Sequence, residues 1–294
     1  MCIRDRYKAG GFTGKFGRQT LTLDNHRFVG HVGWRQDRQT FDAFKLNYKQ
    51  NGLDLTAAYI TQRNRIFAEV LDEDAQDIIL NASYKADGFG KLTAYSYIIE
   101  DDDTDDQELE TYGISYAGST KAGSSEINYR AEYATQENQA NNAETDYFHV
   151  NGGIKFGPVK LGLGYEVLGS DDGIDGFATP LATLHGFNGW ADVFLGTPSI
   201  GLEDAYASLD FSIAKGKGGK FKLVYHDFTS DEVDAFGSDD LGDEIDVQYT
   251  YNFNKNVYSG IKYATYSSGS AVDTDGATEN DTDRFWLWAG LKFK

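Results

Sequence analysis

The chain has 294 residues, of which 40% are hydrophobic, 14% aromatic and 25% charged, too apolar for a disordered polymer and long enough to bury a large interior. Its 46 acids against 27 bases give a formal charge of −19, which argues against a general nucleic-acid binder. A mean hydropathy of −0.50, with no apolar run near the roughly 18 residues of a spanning helix, excludes a helical membrane protein and leaves one built from strands.

Glycine is abundant at 33, proline scarce at 3, and Tyr and Phe reach 19 each, a composition of strands and turns. The single Cys2 cannot form an internal disulfide, and nothing in the sequence calls for a cofactor or a metal.

In chain order, the opening MCIRDR resembles an adapter-derived translation artefact, and no secretory signal is recognisable. The expectation is a ragged start over residues 1–10 of an N-terminally truncated chain, then one transmembrane β-barrel domain over residues 11–294. A basic, aromatic link follows from Gly17, with Arg18, His26, Arg27, Trp34, Arg35 and Arg38. From Asp42 to Lys49, Phe44, Leu46 and Tyr48 alternate with Lys45, Asn47 and Lys49. Asn51-Gly52 is a type I′ turn signal, after which Leu53, Leu55, Ala57 and Tyr59 resume the alternation.

The same period recurs around Leu80, Tyr129, Leu163, Leu223 and Val247, giving about fourteen strands of about ten residues, the length of a tilted strand crossing a bilayer. Short links alternate with long ones near 63–76, 100–108, 136–144, 169–201, 230–242 and 268–283. That alternation suits an antiparallel up-and-down barrel of about 16–18 strands when complete, with periplasmic turns and extracellular loops. A soluble β-sandwich is the competing all-β reading, with shorter strands and no sorting of links by length. The last strand runs from Phe285 to Phe293, an aromatic-ended segment like those read by the outer-membrane assembly machinery.

Enzyme motifs are missing: the five histidines form no HExxH pair, and there is no GxSxG elbow or P-loop, so no catalytic role is expected. Acids crowd the long links, as at Glu100 to Glu108, Asp239 to Glu244 and Asp273 to Asp283; they read as solvated loops, although Asp273-Thr274-Asp275-Gly276 has a faint calcium-loop spacing. The acidic stretches 69–77, 100–110, 137–146, 171–175, 231–246 and 273–283 contain no Lys or Arg, so the rest of the chain is net positive. On the strands, Lys45, Lys49, Lys85, Arg130, Lys160, Lys222 and Lys262 share parity with Asn and Gln, which points them into a wet lumen. They either select anions or simply pair with acids, as Arg130 could with Glu132. The longest link carries His185, Trp190, Asp192 and Phe194, too aromatic for a loop waving in solvent and the natural candidate for a constriction.

At two stretches, KFGRQTLTLDNHRFVGHVGWRQDRQTFDAF from Lys15 and TPLATLHGFNGWADVFLGTPSIGLEDAYASL from Thr179, the sequence resembles the alginate-export family of bacterial outer-membrane β-barrels. The resemblance implies an outer-membrane channel for an anionic polyuronate or a broader range of small anions, with lipid and the solute as partners and no nucleic acid. It makes Arg18 the first counterpart of the family's pore arginines, with Arg27, Arg35 and Arg38 nearby; Lys45, Lys85, Arg130 and Lys222 complete the expected cationic lining. Arg18, however, has the parity of Phe16, so a bulge or strand end is needed to bring it into the lumen. A non-selective porin and a soluble or surface carbohydrate-binding β-protein are the alternatives.

Overall fold

The alternating pattern forms fifteen strands, as described by a computed structural model over residues 4–67, 69–100, 108–216, 218–271 and 280–293. In chain order they are β1 (Arg4–Ala9), β2 (Phe12–Gln19), β3 (Thr40–Gln50), β4 (Leu53–Asn64), β5 (Glu73–Ala86), β6 (Gly90–Glu100), β7 (Glu108–Ala122) and β8 (Ser125–Asn138). Then come β9 (Ala143–Phe156), β10 (Val159–Leu168), β11 (Leu202–Ser212), β12 (Lys220–Thr229), β13 (Asp240–Asn252), β14 (Val257–Ser268) and β15 (Thr282–Leu291). Each is hydrogen-bonded to the next in sequence order. At the β3–β4 turn, Asn51 and Gly52 both have positive φ, 51° and 83°, as a type I′ turn requires.

Two expectations about links and strands change. Residues 4–9, expected to be ragged, pair in register with β2 from Arg4↔Gly17 to Ala9↔Phe12. The link expected over 136–144 shrinks to 139–142, because Gln136 and Thr145 belong to strands and turn their side chains to the buried face.

The chain packs as two compact units, Met1–Ala117 with Glu132–Tyr147 and Phe177–Leu184, and Gly118–Ala131 with Phe148–Gly176 and His185–Lys294. In the first, one sheet face exposes Phe16, Phe44, Leu46, Tyr59, Leu80 and Leu92, while the other buries Thr56, Asp77, Asn81, Ser83 and Thr93. In the second, Leu163, Tyr225, Ile245, Tyr263 and Leu287 are exposed, while Glu166, Asp204, His226, Glu244 and Asp246 are buried. A soluble sheet turns its apolar side inward, so this inverted distribution marks the apolar faces as those that meet lipid.

Candidate functional site

In each unit a long link folds down over the polar sheet face. In the first unit the link is 20–39, joined by 177–184. Leu21, Val29, Phe177 and Leu181 are fully buried. Phe28 has ring centroids 5.2 Å from Tyr95, 5.2 Å from Tyr147 and 5.9 Å from Phe177. Backbone bonds tie the two pieces: Gly30 N–H donates to Leu181 O at 2.8 Å and Thr183 N–H to His26 O at 3.0 Å. A β-carbon on Gly30 would lie 2.2 Å from Thr183 Oγ1, so only glycine permits this approach. At the far end of the link, Asp24 takes a 2.7 Å ion pair from Lys91 and a 2.8 Å bond from Asn81.

The cations of this unit divide into three groups. Arg63 is buried and held by Asp77 at 2.6 Å and Glu73 at 3.1 Å. Arg27, expected to line a pore, is instead only 2% exposed, beside the Tyr147 ring and bonded to Thr179 Oγ1 at 3.4 Å. Arg35 and Arg38 are exposed on the link, Arg35 over the Trp34 ring at 5.0 Å. Arg18 keeps the parity of Phe16 and makes a bidentate pair with Asp42, both bonds 2.9 Å, so it lies on the apolar face rather than with the polar row. The register shift opposite Asp42 and Ala43 leaves out Thr61 of β4, and β2 and β3 pair without a shift, so Arg18 is not turned inward. Arg18, Arg38 and Arg65 come together around a cleft of about 580 Å³ with Asp37, Glu69 and Asp72.

The third group lies on the polar face itself. Arg6 stands opposite Lys15, and Lys15 opposite Lys45, across three strands; Lys85 stands opposite Lys91. His31, in the link, has a buried Nδ1 without a hydrogen-bond partner. Burial first, then the neighbouring His26 ring and the Arg38 guanidinium, hold its pKa below the usual imidazole value.

In the second unit the link 185–201 is held by acids. Ala191 N–H donates to Glu244 Oε1 at 2.7 Å and Trp190 N–H to Asp246 Oδ2 at 3.2 Å, both carboxylates fully buried. Asn188 donates to Glu166 at 2.8 Å and to Asp204 at 3.2 Å. Gly189 has φ +84°, and a β-carbon there would meet Glu244 Oε2 at 2.4 Å. His226 bonds Asp204 at 2.8 Å and approaches Asp246 at 3.7 Å. The Trp190 ring lies 4.1 Å from Lys262 Nζ and 5.4 Å from Lys222 Nζ. Lys262 donates to His185 Nε2 at 2.9 Å, which leaves the proton on Nδ1 for the 2.6 Å bond to Asp192; Asp192 also takes Arg284 at 3.3 Å. Phe194 packs 4.6 Å from Phe228 and 5.9 Å from Tyr266.

His185, Trp190, Asp192 and Phe194 therefore meet in one folded link over β12–β15. Lys222 and Lys262 flank Gln248 in register on the strands beneath. Arg130 is half-buried on β8. The anchoring acids are not among the residues expected to matter: Glu244 reads in sequence as part of a solvated acidic stretch, yet it is fully buried on β13. Its parity with Asp246 and Gln248, all on the polar face, is the signal that could have found it. The residues Asp273 to Gly276, with their calcium-like spacing, lie outside the described residues.

Long antiparallel strands, apolar outside and polar inside, with links folded onto the polar face, define an outer-membrane β-barrel of the porin kind. The Alginate export family model matches residues 3–285, so the chain belongs to that family and to the bacterial outer membrane. Among solved structures, OccK5 (OpdH) of Pseudomonas aeruginosa is similar with a TM-score of 0.75 at 15% identity, covering 99% of this chain and 81% of that one. OpdK of the same organism, determined with vanillate, gives 0.73 at 12% identity, covering 98% and 78%. OccK7 (OpdD), also from P. aeruginosa, gives 0.75 at 15%, covering 99% and 78%. No curated protein matches the chain. Family and fold point to an outer-membrane channel rather than an enzyme or a soluble carbohydrate-binding protein.

Proposed function

We propose that the channel passes anionic solutes, uronate oligomers or small anions, by passive diffusion along a cationic polar face. The observation that carries this reading is an asymmetry in how the buried charges are used. Acids on the polar faces are engaged in holding the structure, as Asp77 is by Arg63, and as Glu244 and Asp246 are by link amides. The lysines of the same faces are only partly matched by acids: Lys49, Lys91 and Lys222 face Asp54, Asp24 and Asp210, whereas Lys45 has no ion pair among the described residues, Lys85 stands opposite Lys91, and Lys222 and Lys262 lie on either side of Gln248.

A solute between such rows meets positive potential in a water-filled, partly screened space, worth about 1 kcal/mol per unit charge at 4 Å even in bulk water. That lowers the barrier for anions and raises it for cations without covalent chemistry or an energy source. Lys45, Lys85, Arg130 and Lys222 supply the field, and the link carrying Trp190 narrows the path. Arg18, on the apolar face, has no part in this reading.

The experiment is reversal potential across a salt gradient in a planar bilayer. Lys45→Glu with Lys222→Glu should shift permeability toward cations, and a uronate oligomer should block current in the unaltered protein only. An unchanged reversal potential would defeat this assignment of the lining, and conductance that uronate oligomers leave unblocked would mean a non-selective porin.

A further inference from the structure

Glu244 and Asp246 do more than accept two amides. They sit two apart on β13, so both side chains leave the same face, and both residues are 0% exposed. They reach Ala191 and Trp190, neighbours about 3.8 Å apart along the link, which brings the two carboxyls within hydrogen-bonding reach of each other. Each uses one oxygen on the link: Glu244 Oε1 accepts from Ala191 N–H and Asp246 Oδ2 from Trp190 N–H. The remaining oxygens, Glu244 Oε2 and Asp246 Oδ1, are buried without a hydrogen-bond partner. Two adjacent carboxylates, both charged and both lacking a donor, are a costly thing to bury; one proton between them removes a charge and supplies the missing bond.

The charges on the surrounding elements are engaged elsewhere. On β12, His226 stands opposite Glu244 in register, but its Nδ1 bonds Asp204 of β11 at 2.8 Å and its Nε2 is 3.7 Å from Asp246, beyond hydrogen-bond length. Lys222, on the same strand, faces Asp210. On β14, Lys262 donates to His185 of the link at 2.9 Å, and on β15, Arg284 pairs with Asp192 of the link at 3.3 Å. Glu166 of β10 and Asp204 accept the Asn188 side-chain amide. Glu244 itself is in no ion pair among the described residues.

We propose that Glu244 and Asp246 hold one proton between Oε2 and Oδ1 and together act as positioning residues for the link that narrows the path. The role rests on that narrowing, and not on the sign of the field in the pore. When the link lifts, the two carboxyls meet water, where Asp and Glu lose their protons at about pH 4. The seated link therefore binds one proton more than the lifted one. By linkage its seating weakens as pH rises above about 4, and the lifted population grows about tenfold per pH unit until the seated pair ionises too.

Infrared difference spectra of the whole detergent-solubilised protein read the proton itself: a protonated-carboxyl stretch is expected at neutral pH, and Asp246→Asn should remove it. The asparagine places an amide N–H where the shared proton lies, so the link stays seated. In a planar bilayer the native channel should enter a higher-conductance state about tenfold more often per pH unit between about pH 5 and 7, and Asp246→Asn should not. Glu244→Gln supplies the amide N–H from the other side and gives a second reading if Asp246→Asn lacks the heat-shifted gel mobility of a folded barrel. No carboxyl stretch at neutral pH, or a pH dependence that survives in Asp246→Asn and disappears in His226→Gln, would overturn the pair; a stretch with conductance indifferent to pH would overturn its positioning role. Reversal potential in the same bilayers reports selectivity separately, so a cation-selective pore with the expected pH response would end the anion reading and leave the pair standing.

Discussion

The two links that cover the polar faces are held by opposite chemistry. The first, 20–39 with 177–184, behaves like a small hydrophobic core: Phe28 inside a cluster of Tyr95, Tyr147 and Phe177, stitched by backbone bonds to Leu181 and His26. The second, 185–201, is pinned by buried carboxylates on its backbone amides and by lysines against Trp190. Hydrophobic burial is non-directional and fixes that a segment packs; amides capped by carboxylates fix the position of each residue. The second link is the one in which a displacement of its polar groups leaves buried charge uncompensated, and it is the more sharply positioned of the two.

The largest effect is expected at the apolar link. Phe28→Ala opens a cavity in a ring cluster and should lower stability by about 3–5 kcal/mol, read by guanidinium unfolding in detergent. Glu244→Ala leaves the amide of Ala191 without its acceptor, and a buried unsatisfied group of that kind costs about 1–3 kcal/mol. The sharper readout is local. Chymotrypsin should cleave link 185–201 faster in Glu244→Ala and leave 20–39 untouched, whereas equal acceleration in both links would show that the two covers are not separately held.

Smaller still is Arg18→Gln. Its pair with Asp42 is more than a third exposed on the arginine side, so the loss should stay below about 1 kcal/mol, and ion selectivity should not move. A changed reversal potential in this variant would return Arg18 to the conducting path.

The smallest is a pH effect confined to the apolar link. His31 has its folded-state pKa depressed, so folding favours the neutral ring. That contribution is complete above the unfolded value of about 6.5 and is lost as pH falls through it toward the lower folded value. Stability of the first unit should therefore decline slightly more below pH 6.5 in the native protein than in His31→Gln. Identical pH profiles would mean that burial of His31 has no energetic consequence.

Much of the fold was legible because strand alternation is a local property. The parity of Lys45, Asn47 and Lys49 against Phe44, Leu46 and Tyr48 needs no knowledge of the rest of the chain. The turn at Asn51-Gly52 is equally local. The link at 139–142 was misjudged because Gln136 looks like a loop residue, when a polar strand face requires such side chains. The inward fold of the Trp190 link was visible from its aromatic content. Its anchors were not: that Glu244 caps Ala191 and that Gly189 supplies φ +84° depends on contacts more than fifty residues apart in sequence. Arg18 and Arg27 diverged for two reasons, one the unbroken parity of β2, the other the burial of a guanidinium against Tyr147.

The inverted sheet, apolar outside and polar within, also bears on how such a chain travels before it folds. Leu80 and Leu92 become part of a greasy surface only once β5 and β6 are paired, since in the extended chain Asn81 and Thr93 sit next to them. A secretion pore that releases segments sideways into a bilayer responds to about 18 consecutive apolar residues, and no helix among the described residues is long and apolar enough to cross a membrane. The alternation therefore postpones affinity for lipid until strand pairing has occurred, so a polypeptide of negative mean hydropathy can cross one membrane as a polar thread and become an integral part of the next.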